Sequence, residues 1–545
     1  MSENKPSAPS TTSVTDTEVL VVGAGFAGLY LLHRLRNEGH QVHVVEQAPE
    51  VGGTWYWNRY PGARCDVESV DYSYSWDDDL QQEWDWTEKY PAQGDILAYL
   101  KHVADRFDLR KDIDFNTTLV GAEWDESQGL WTATADGGHV YRARYLVMAV
   151  GCLSVPKDID LPGFDKFTGQ VLRTYNWPEG EDLKGRTVGV VGTGSTGAQV
   201  IPALAETVAD LTVIQRTPNF VIPTRNRPLH DGELDEIKAD YPDRRVRNRT
   251  HPAGVFRDDN PKNAFDVDRA ERHATFQERW EGGGINFLGS FADLMFDQAA
   301  NDAVAEFVHL KIDEIVDDPD TAASLKPTSY PLGAKRPVVA TDYYETFNRP
   351  NVHLVDVKKH PLDTFTEKGF RLADGTEYEV DTMVLATGFD AFTGPFTKMD
   401  IRGTNGQSLA DTWNHEGAKT HLGLGAAGFP NMVIVASVGS PSVLANMVTA
   451  IEQHVEWISG LLDMMRTEGY TTIEAQQPAQ EAWVQTVEEV AGMTLWPNGD
   501  SGSWYRGANI DGKVQIFMPY AAGIVEYGAA LEKSTANNYE GFVLS

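Results

Sequence analysis

The sequence predicts an α/β protein made of two interleaved Rossmann-like dinucleotide-binding domains with a helical insert. Three observations carry this reading. An apolar run enters the glycine turn Gly23-Ala24-Gly25-Phe26-Ala27-Gly28, the same arrangement recurs at Gly192-Thr193-Gly194-Ser195-Thr196-Gly197, and a long, charged, helix-patterned stretch follows the second turn.

The first 17 residues are rich in Ser, Thr and Pro and read as a disordered tail. The first domain begins at residue 18, where Val19-Leu20-Val21-Val22 runs straight into the first turn. A helix with Leu29, Leu32 and Leu35 on one face follows, and Val42-His43-Val44-Val45 then ends at Glu46, 23 positions after Gly23. Such an arrangement assigns Gly23 to the tight turn, Gly25 to close approach of a pyrophosphate, Gly28 to helix–strand packing and Glu46 to a ribose hydroxyl. A lone glycine pattern is weak evidence. The strand before it, the helix after it and the acid at this distance make it a dinucleotide site.

Next comes an aromatic stretch from Gly52 to Asp66, containing Gly53, Thr54 and Trp55. Its rings suit either a planar cofactor or ordinary core packing, and Asp66 alone suits a helix cap or a loop carboxylate. A strand-like run, Tyr145 to Gly151, closes the first part of this domain, which spans 18–151.

Residues 152–224 hold a linker and the start of the second domain. Phe167 to Pro178 lies between the two glycine turns and reads as the segment that couples them. Thr187-Val188-Gly189-Val190-Val191 then enters Gly192, Gly194, Ser195, Thr196 and Gly197, with a helix through Val200 and Leu204 and a strand over Leu211–Ile214. Counting 23 positions from Gly192 gives Gln215, followed by Arg216 and Thr217. A carboxylate replaced by an amide with a guanidinium beside it suits a 2′-phosphate, so this site prefers NADPH to NADH.

From 225 to 330 the pattern is helical, with Leu294, Ala299, Val304, Phe307, Val308 and Ile312 at helical intervals. The second domain resumes over 331–386 with Val338-Val339-Ala340, Val352-His353-Leu354-Val355 and a buried run, Asp381 to Gly388, read as the partner of the strand ending at Gly151. Residues 387–545 return to the first domain. They include a Gly/Ser/Pro loop at Val438–Leu444, a helix around Ile451–Leu462, and the loop Asn498–Tyr505, where Trp504 is either a mobile flap or an anchor.

Composition narrows the chemistry. With 46 basic and 80 acidic residues the net charge is -34, which repels phosphate backbones and anionic lipid headgroups, so nucleic acid and membrane are excluded as partners. Only Cys65 and Cys152 are present, with no C-x-x-C, which argues against disulfide scaffolds and thiol-pair redox centres and fits a cytoplasmic location. No metal site is expected, because the 14 His show neither H-x-x-x-H nor H-E-x-x-H spacing. Two dinucleotide sites in one chain imply FAD at the first and NADPH at the second, with hydride passing between them. Since no cysteine pair is there to accept electrons, oxygen becomes the leading acceptor.

The central stretch resembles the fingerprint of Baeyer-Villiger monooxygenases, F-x-G-x-x-x-H-x-x-x-W-P/D, through Phe167, Gly169, Trp177 and Pro178. The upstream stretch is similar to that family's other signature, G-x-W-x-x-x-x-Y-P-G-x-x-x-D, through Gly53, Trp55, Tyr60, Pro61, Gly62 and Asp66. Gly333-Ala334-Lys335-Arg336, Asp342-Tyr343-Tyr344-Glu345 and Gly439-Ser440-Pro441-Ser442 look closest to the phenylacetone monooxygenase branch of these class B flavoproteins.

The resemblance implies an NADPH- and O2-dependent enzyme that inserts one oxygen beside a ketone carbonyl, through a C4a-peroxyflavin and a tetrahedral adduct, to give an ester or lactone. It implies Arg336 as the catalytic cation beside the flavin, Asp66 as the carboxylate that orients it, and Lys335, Arg216 and Thr217 as 2′-phosphate contacts. Trp504 would lie on a control loop that folds over NADP. One position departs from the fingerprint: Arg173 stands where the family has His, so a titrating imidazole is lost there. The alternatives are a heteroatom (S/N) oxygenase of the related flavin monooxygenases and a redox-sensing protein that binds both cofactors without turnover. Nothing in the sequence suggests a coiled coil or an apolar interface helix, so a monomer is expected.

Overall fold

The computed structural model describes residues 13–499 and 502–545. Two parallel-centred sheets organise it. In the first, of eight strands, Val14–Val22 lies between Val42–Val45 and Val140–Met148, and Ile113–Asp114 adds beyond Val42–Val45. Val19, Leu20 and Val21 are fully buried, as a parallel strand covered by helices on both faces requires. Helix Phe26–Asn37 covers one face and packs against helix Met447–Glu468.

The expected tail is partly a strand. Val14–Thr17 pairs with Val140–Ala143, and Arg142 adds a bidentate ion pair to Asp16 with its Nε 2.7 Å from Oδ1. Val14, Thr15 and Thr17 are β-branched, and their preference for extended backbone outweighs the loop-like composition around them. Residues 1–12 lie outside the described residues.

The second sheet is wholly parallel, in the order Val352–Asp356, Asp210–Gln215, Thr187–Val191, Thr382–Leu385, Gln170–Arg173. The central stretch is therefore more than a connector, because its middle is the edge strand of this sheet. Thr382–Leu385 stands beside Thr187–Val191, as Val140–Met148 stands beside Val14–Val22. The two buried runs are thus counterparts in separate sheets and do not pair with each other. After Leu385 the chain returns to the first sheet, placing Asp400–Arg402 beside Leu119–Asp125 and Met432–Ile434 beside Leu146–Met148.

Three longer helices lie in the helical stretch: Glu233–Arg249, Arg269–Gly282 and Gln298–Ile315. The last two are capped by Asp268 and Asp297, whose carboxylates accept from Glu271 N and Ala300 N. Phe276, Trp280, Val304, Phe307, Val308 and Ile312 share one core with the second sheet. Helix Glu233–Arg249 faces the other way: Arg244 pairs with buried Asp71 at 2.5 Å and Arg249 with buried Glu452 at 3.1 Å, both in the first unit. The insert thus bridges the two units. Among the described residues no helix is long and apolar enough to cross a membrane.

Candidate active site

Both glycine turns have backbone that only glycine accommodates. Gly23 sits at φ 104°, and a Cβ on Gly28 would stand 1.8 Å from the Gly23 carbonyl oxygen. No side chain caps helix Phe26–Asn37, whose N-terminus follows Gly25, so its first N–H groups suit a phosphate. Gly53, at φ 52°, packs directly on this turn, and a Cβ on it would stand 3.1 Å from the Gly25 Cα, which explains glycine at Gly53. Thr54 beside it is exposed. Trp55 is buried and donates from Nε1 to the Tyr72 hydroxyl at 3.2 Å.

Glu46 is 5% exposed, and its two oxygens accept from Ala24 N and Ala48 N, each at 2.7 Å. Burial pushes its pKa up while those two N–H groups pull it down. Each oxygen keeps a lone pair, and the carboxylate is fixed where a ribose would meet the turn. Turn, helix N-terminus and oriented acid together fit an FAD.

The second turn repeats the geometry. Gly192 has φ 106°, Gly197 would place a Cβ 2.2 Å from the Gly192 carbonyl oxygen, and a Cβ on Gly194 would meet nothing within 4 Å. Ser195 is exposed and Thr196 half-buried at the start of helix Ser195–Ala205, which also lacks a side-chain cap. Gln215 is fully buried and turns away, donating from Nε2 to Ser324 O at 2.8 Å, which leaves exposed Arg216 as the polar group at the strand end. Lys335 Nζ lies 4.9 Å above the Tyr330 ring, whose hydroxyl donates to Pro218 O at 2.7 Å. Lys335 is therefore carried to the segment that holds Arg216 and Thr217, and this cationic corner fits the 2′-phosphate of NADP. Replacing Arg216 with Ala is expected to raise KM for NADPH roughly 10- to 100-fold, as the loss of one charge-assisted contact implies. Steady-state kinetics with NADPH and NADH checks this, with kcat and KM for NADH little changed.

Arg336 and Asp66, 270 positions apart in the chain, meet with Nε 2.7 Å from Oδ2. Arg336 also donates to the carbonyl of Val443, in the Gly/Ser/Pro loop, and the two side chains are 20% and 27% exposed. Burial works against the guanidinium charge, but Asp66 more than offsets it and Arg336 is held above its ordinary range. The cation is permanent, oriented and only partly solvated, as stabilisation of a developing anion requires. Cys65 and Cys152 are both buried free thiols, and burial pushes Cys152 up to about 11, so it stays uncharged. Trp504 packs half-buried against Phe392 at 5.6 Å. Asp500 and Ser501 of its loop lie outside the described residues.

The upstream signature does work that sequence reasoning missed. Tyr60 belongs to the core of the second unit and donates to Gln199 Oε1 at 2.8 Å, on helix Ser195–Ala205. Gly62, at φ 83°, would drive a Cβ to 2.5 Å from the Gln199 carbonyl oxygen. These residues dock one unit on the other, and only the Pro61-Gly62 turn hinted at a close approach.

The fingerprint is locked from the same side. Asn176 N donates to Trp57 O at 2.7 Å, Arg59 donates to Trp177 O at 2.8 Å and to Asn176 Oδ1 at 2.7 Å, and Tyr175 stacks on Trp57 at 5.1 Å. Arg173 pairs with Leu385 at the end of the edge strand, and its exposed side chain makes no hydrogen bond or ion pair with the described residues. Arg173→His is accordingly expected to leave the product formed per NADPH within about twofold, since exposed substitutions away from such contacts change little. Product yield against NADPH consumed measures it.

Glu38, His40 and Asp463 also come together, but Arg34 pairs with Glu38 at 2.5 Å and Arg466 pairs with Asp463, so arginines already balance those carboxylates.

Residues 17–240 match the family described as pyridine nucleotide-disulphide oxidoreductase. The chain is 42% identical to phenazine N-monooxygenase from Lysobacter antibioticus, over 97% of each chain. It is equally 42% identical to a Baeyer-Villiger monooxygenase from Pseudooceanicola batsensis, over 97% of this chain and 96% of that one. Among solved structures, an oxidized steroid monooxygenase bound to NADP superposes with a TM-score of 0.92 at 45% identity, covering 97% of this chain and 99% of that one.

Proposed function

The chain belongs to the Baeyer-Villiger monooxygenase family of FAD-binding monooxygenases, and on that premise we propose that it uses NADPH and O2 to insert one oxygen beside a ketone carbonyl, giving an ester or lactone. The Arg336–Asp66 pair carries this reading. When bound, FAD supplies hydride acceptance and activation of dioxygen.

The chain's own residues then have distinct tasks. Gly23, Gly25, Gly28, Gly53, Thr54, Trp55 and Glu46 hold the FAD. Gly192, Gly194, Ser195, Thr196 and Gly197 hold the pyrophosphate of NADPH, with Arg216, Thr217 and Lys335 on its 2′-phosphate. Arg336 stabilises the negative charge that develops on the reacting oxygens when a ketone is attacked, and Asp66 fixes the direction of the guanidinium. Trp504 and its loop would fold over bound NADP, which would keep water from the site. Residues 18–151 and 387–545 make the FAD unit, residues 152–224 and 331–386 the NADP unit, and residues 225–330 the helical subdomain. The enzyme acts as a cytoplasmic monomer.

A heteroatom oxygenase delivers an electrophilic oxygen and gains nothing from a cation that stabilises an anion, so Arg336 with its orienting carboxylate favours the ketone. Product analysis in air tests the choice. NADPH is supplied with short aliphatic, cyclic and aryl ketones, and separately with a thioether and an aromatic N-heterocycle, while hydrogen peroxide is assayed in parallel. Ester or lactone in proportion to NADPH consumed supports the reading. Sulfoxide or N-oxide formation without any ester from the ketones overturns it.

A further inference from the structure

Three non-glycine residues around the Gly/Ser/Pro loop hold backbone in the left-handed region: Leu422 at φ 53°, Ala436 at φ 47° and Ser442 at φ 43°. Such backbone is unfavourable for a residue with a side chain and persists only where its surroundings hold it. Here the holding group is a fully buried pair, His454 and Tyr527. His454, on helix Met447–Glu468, accepts at Nδ1 from Ala436 N at 3.2 Å. Its proton therefore sits on Nε2 and is donated to the Tyr527 hydroxyl oxygen at 2.8 Å, and that hydroxyl donates to Leu422 O at 2.5 Å. Ser442 closes the set, its Oγ donating to Ala436 O at 2.8 Å, so Ala436 is held at both its N–H and its carbonyl. The residue after Ser442 is Val443, whose carbonyl accepts from Arg336. Burial pushes His454 down to about 4 against the pull of the Ile434 carbonyl and pushes the Tyr527 phenol up, so both rings stay uncharged. The middle of the loop is held separately, by Gly439 N donating to Met518 O at 2.7 Å and Tyr520 N to Ser440 O at 2.8 Å. What His454 and Ser442 decide is the conformation at its two ends.

We propose that His454 is a positioning residue: through Ala436 and Ser442 it holds the strained backbone that turns the Val443 carbonyl toward Arg336. Without its acceptor nitrogen the Ala436 N–H is left buried and unpaired, the left-handed backbone relaxes, and the guanidinium loses a fixed partner. The inference rests on the proposed role of Arg336 for its effect on oxygen insertion, whereas the restraint on the loop can be measured without turnover.

Two experiments on the full-length, FAD-loaded protein test it. His454→Leu removes the acceptor, and His454→Asn restores an oxygen close to where Nδ1 stands. In His454→Leu we expect unchanged FAD content, flavin reduction and KM for NADPH, with ester per NADPH falling roughly tenfold and hydrogen peroxide rising to match, as a buried N–H left without its partner implies. His454→Asn is expected to recover most of the ester yield. Hydrogen–deuterium exchange without substrate is expected to rise roughly tenfold over residues 436–444 in His454→Leu, and to stay constant in helix Arg269–Gly282. Tyr527→Phe keeps the ring, deletes the bonds to His454 and Leu422, and should raise exchange in the same segment even if His454→Leu fails to fold. An unchanged ester yield in His454→Leu, an equal loss in His454→Asn, a loss accompanied by FAD release or a raised KM for NADPH, or unaltered exchange over 436–444 overturns the proposal. If the wild type makes no ester from any ketone while the exchange result holds, the catalytic reading fails and the restraint of the loop by His454 stands.

Discussion

Arg336→Ala is expected to oxidise NADPH in air, to reduce its flavin at the wild-type rate and to make no detectable ester. The guanidinium donates to the Asp66 carboxylate and to the Val443 carbonyl, and neither residue belongs to the glycine turns that would hold the cofactors. Losing one preorganised group opposite a developing anion costs about 3 kcal/mol of barrier, or roughly a hundred- to a thousandfold in rate. Delivery of hydride needs no such cation, so the electrons still leave NADPH and emerge as hydrogen peroxide. Stopped-flow reduction together with product and peroxide assays separates the two halves of the cycle. Ester formed at more than a tenth of the wild-type rate would rule out Arg336 as the anion-stabilising group. Asp66→Asn isolates orientation from charge, because the amide can still accept from Arg336 but no longer balances it, and an intermediate loss is the expected outcome.

Gly28→Ala is expected to yield protein without FAD. The added methyl carbon would fall 1.8 Å from the Gly23 carbonyl oxygen, and the Cα that carries the one and the peptide that carries the other are held by the flanking strand and helix. No rotamer relieves the clash, so the turn itself must deform. Overpacking in a rigid core costs about 1–3 kcal/mol, and the deformation falls on the peptides that face the pyrophosphate. The flavin absorbance per chain after purification, followed by an attempt to rebind added FAD, measures the loss. Gly194→Ala is the informative contrast: its Cβ meets nothing within 4 Å in the protein, so the chain should fold normally and any defect should be confined to NADPH affinity.

Features that local backbone geometry dictates could be read from the sequence. Gly28 and Gly197 are fixed by steric contacts within one strand–turn–helix unit and Gly23 and Gly192 by their positive φ in it, although the atoms a Cβ on those two would meet, the Ala149 and Ala386 carbonyl oxygens, are remote in sequence; Glu46 follows from the length of that unit. The meeting of Arg336 with Asp66 had no local signal, since it depends on how two units sit on each other, and only the resemblance anticipated it. Arg216 could be reached by counting. The reason Gln215 takes no part, its bond to Ser324 in the helical stretch, could not. The same limit hid the three-stranded antiparallel sheet Leu362–Thr366, Gly369–Leu372 and Glu377–Glu379, whose core Phe365 and Phe370 share with Phe167 of the central stretch. Phe167 looked like a linker aromatic because its packing partners other than nearby Phe164 and Leu161 are remote in sequence.

The docking of Tyr60 and Gly62 on helix Ser195–Ala205 bears on protein engineering. Replacing the nicotinamide-binding unit with that of a relative, to change coenzyme preference, would appear to need only the segments 152–224 and 331–386. Yet Tyr60 and Ala63 are core residues of that unit although they lie outside both segments. A graft cut at those boundaries would leave part of the donor core behind, and a successful chimera must move the Tyr60–Ala63 turn together with Gln199.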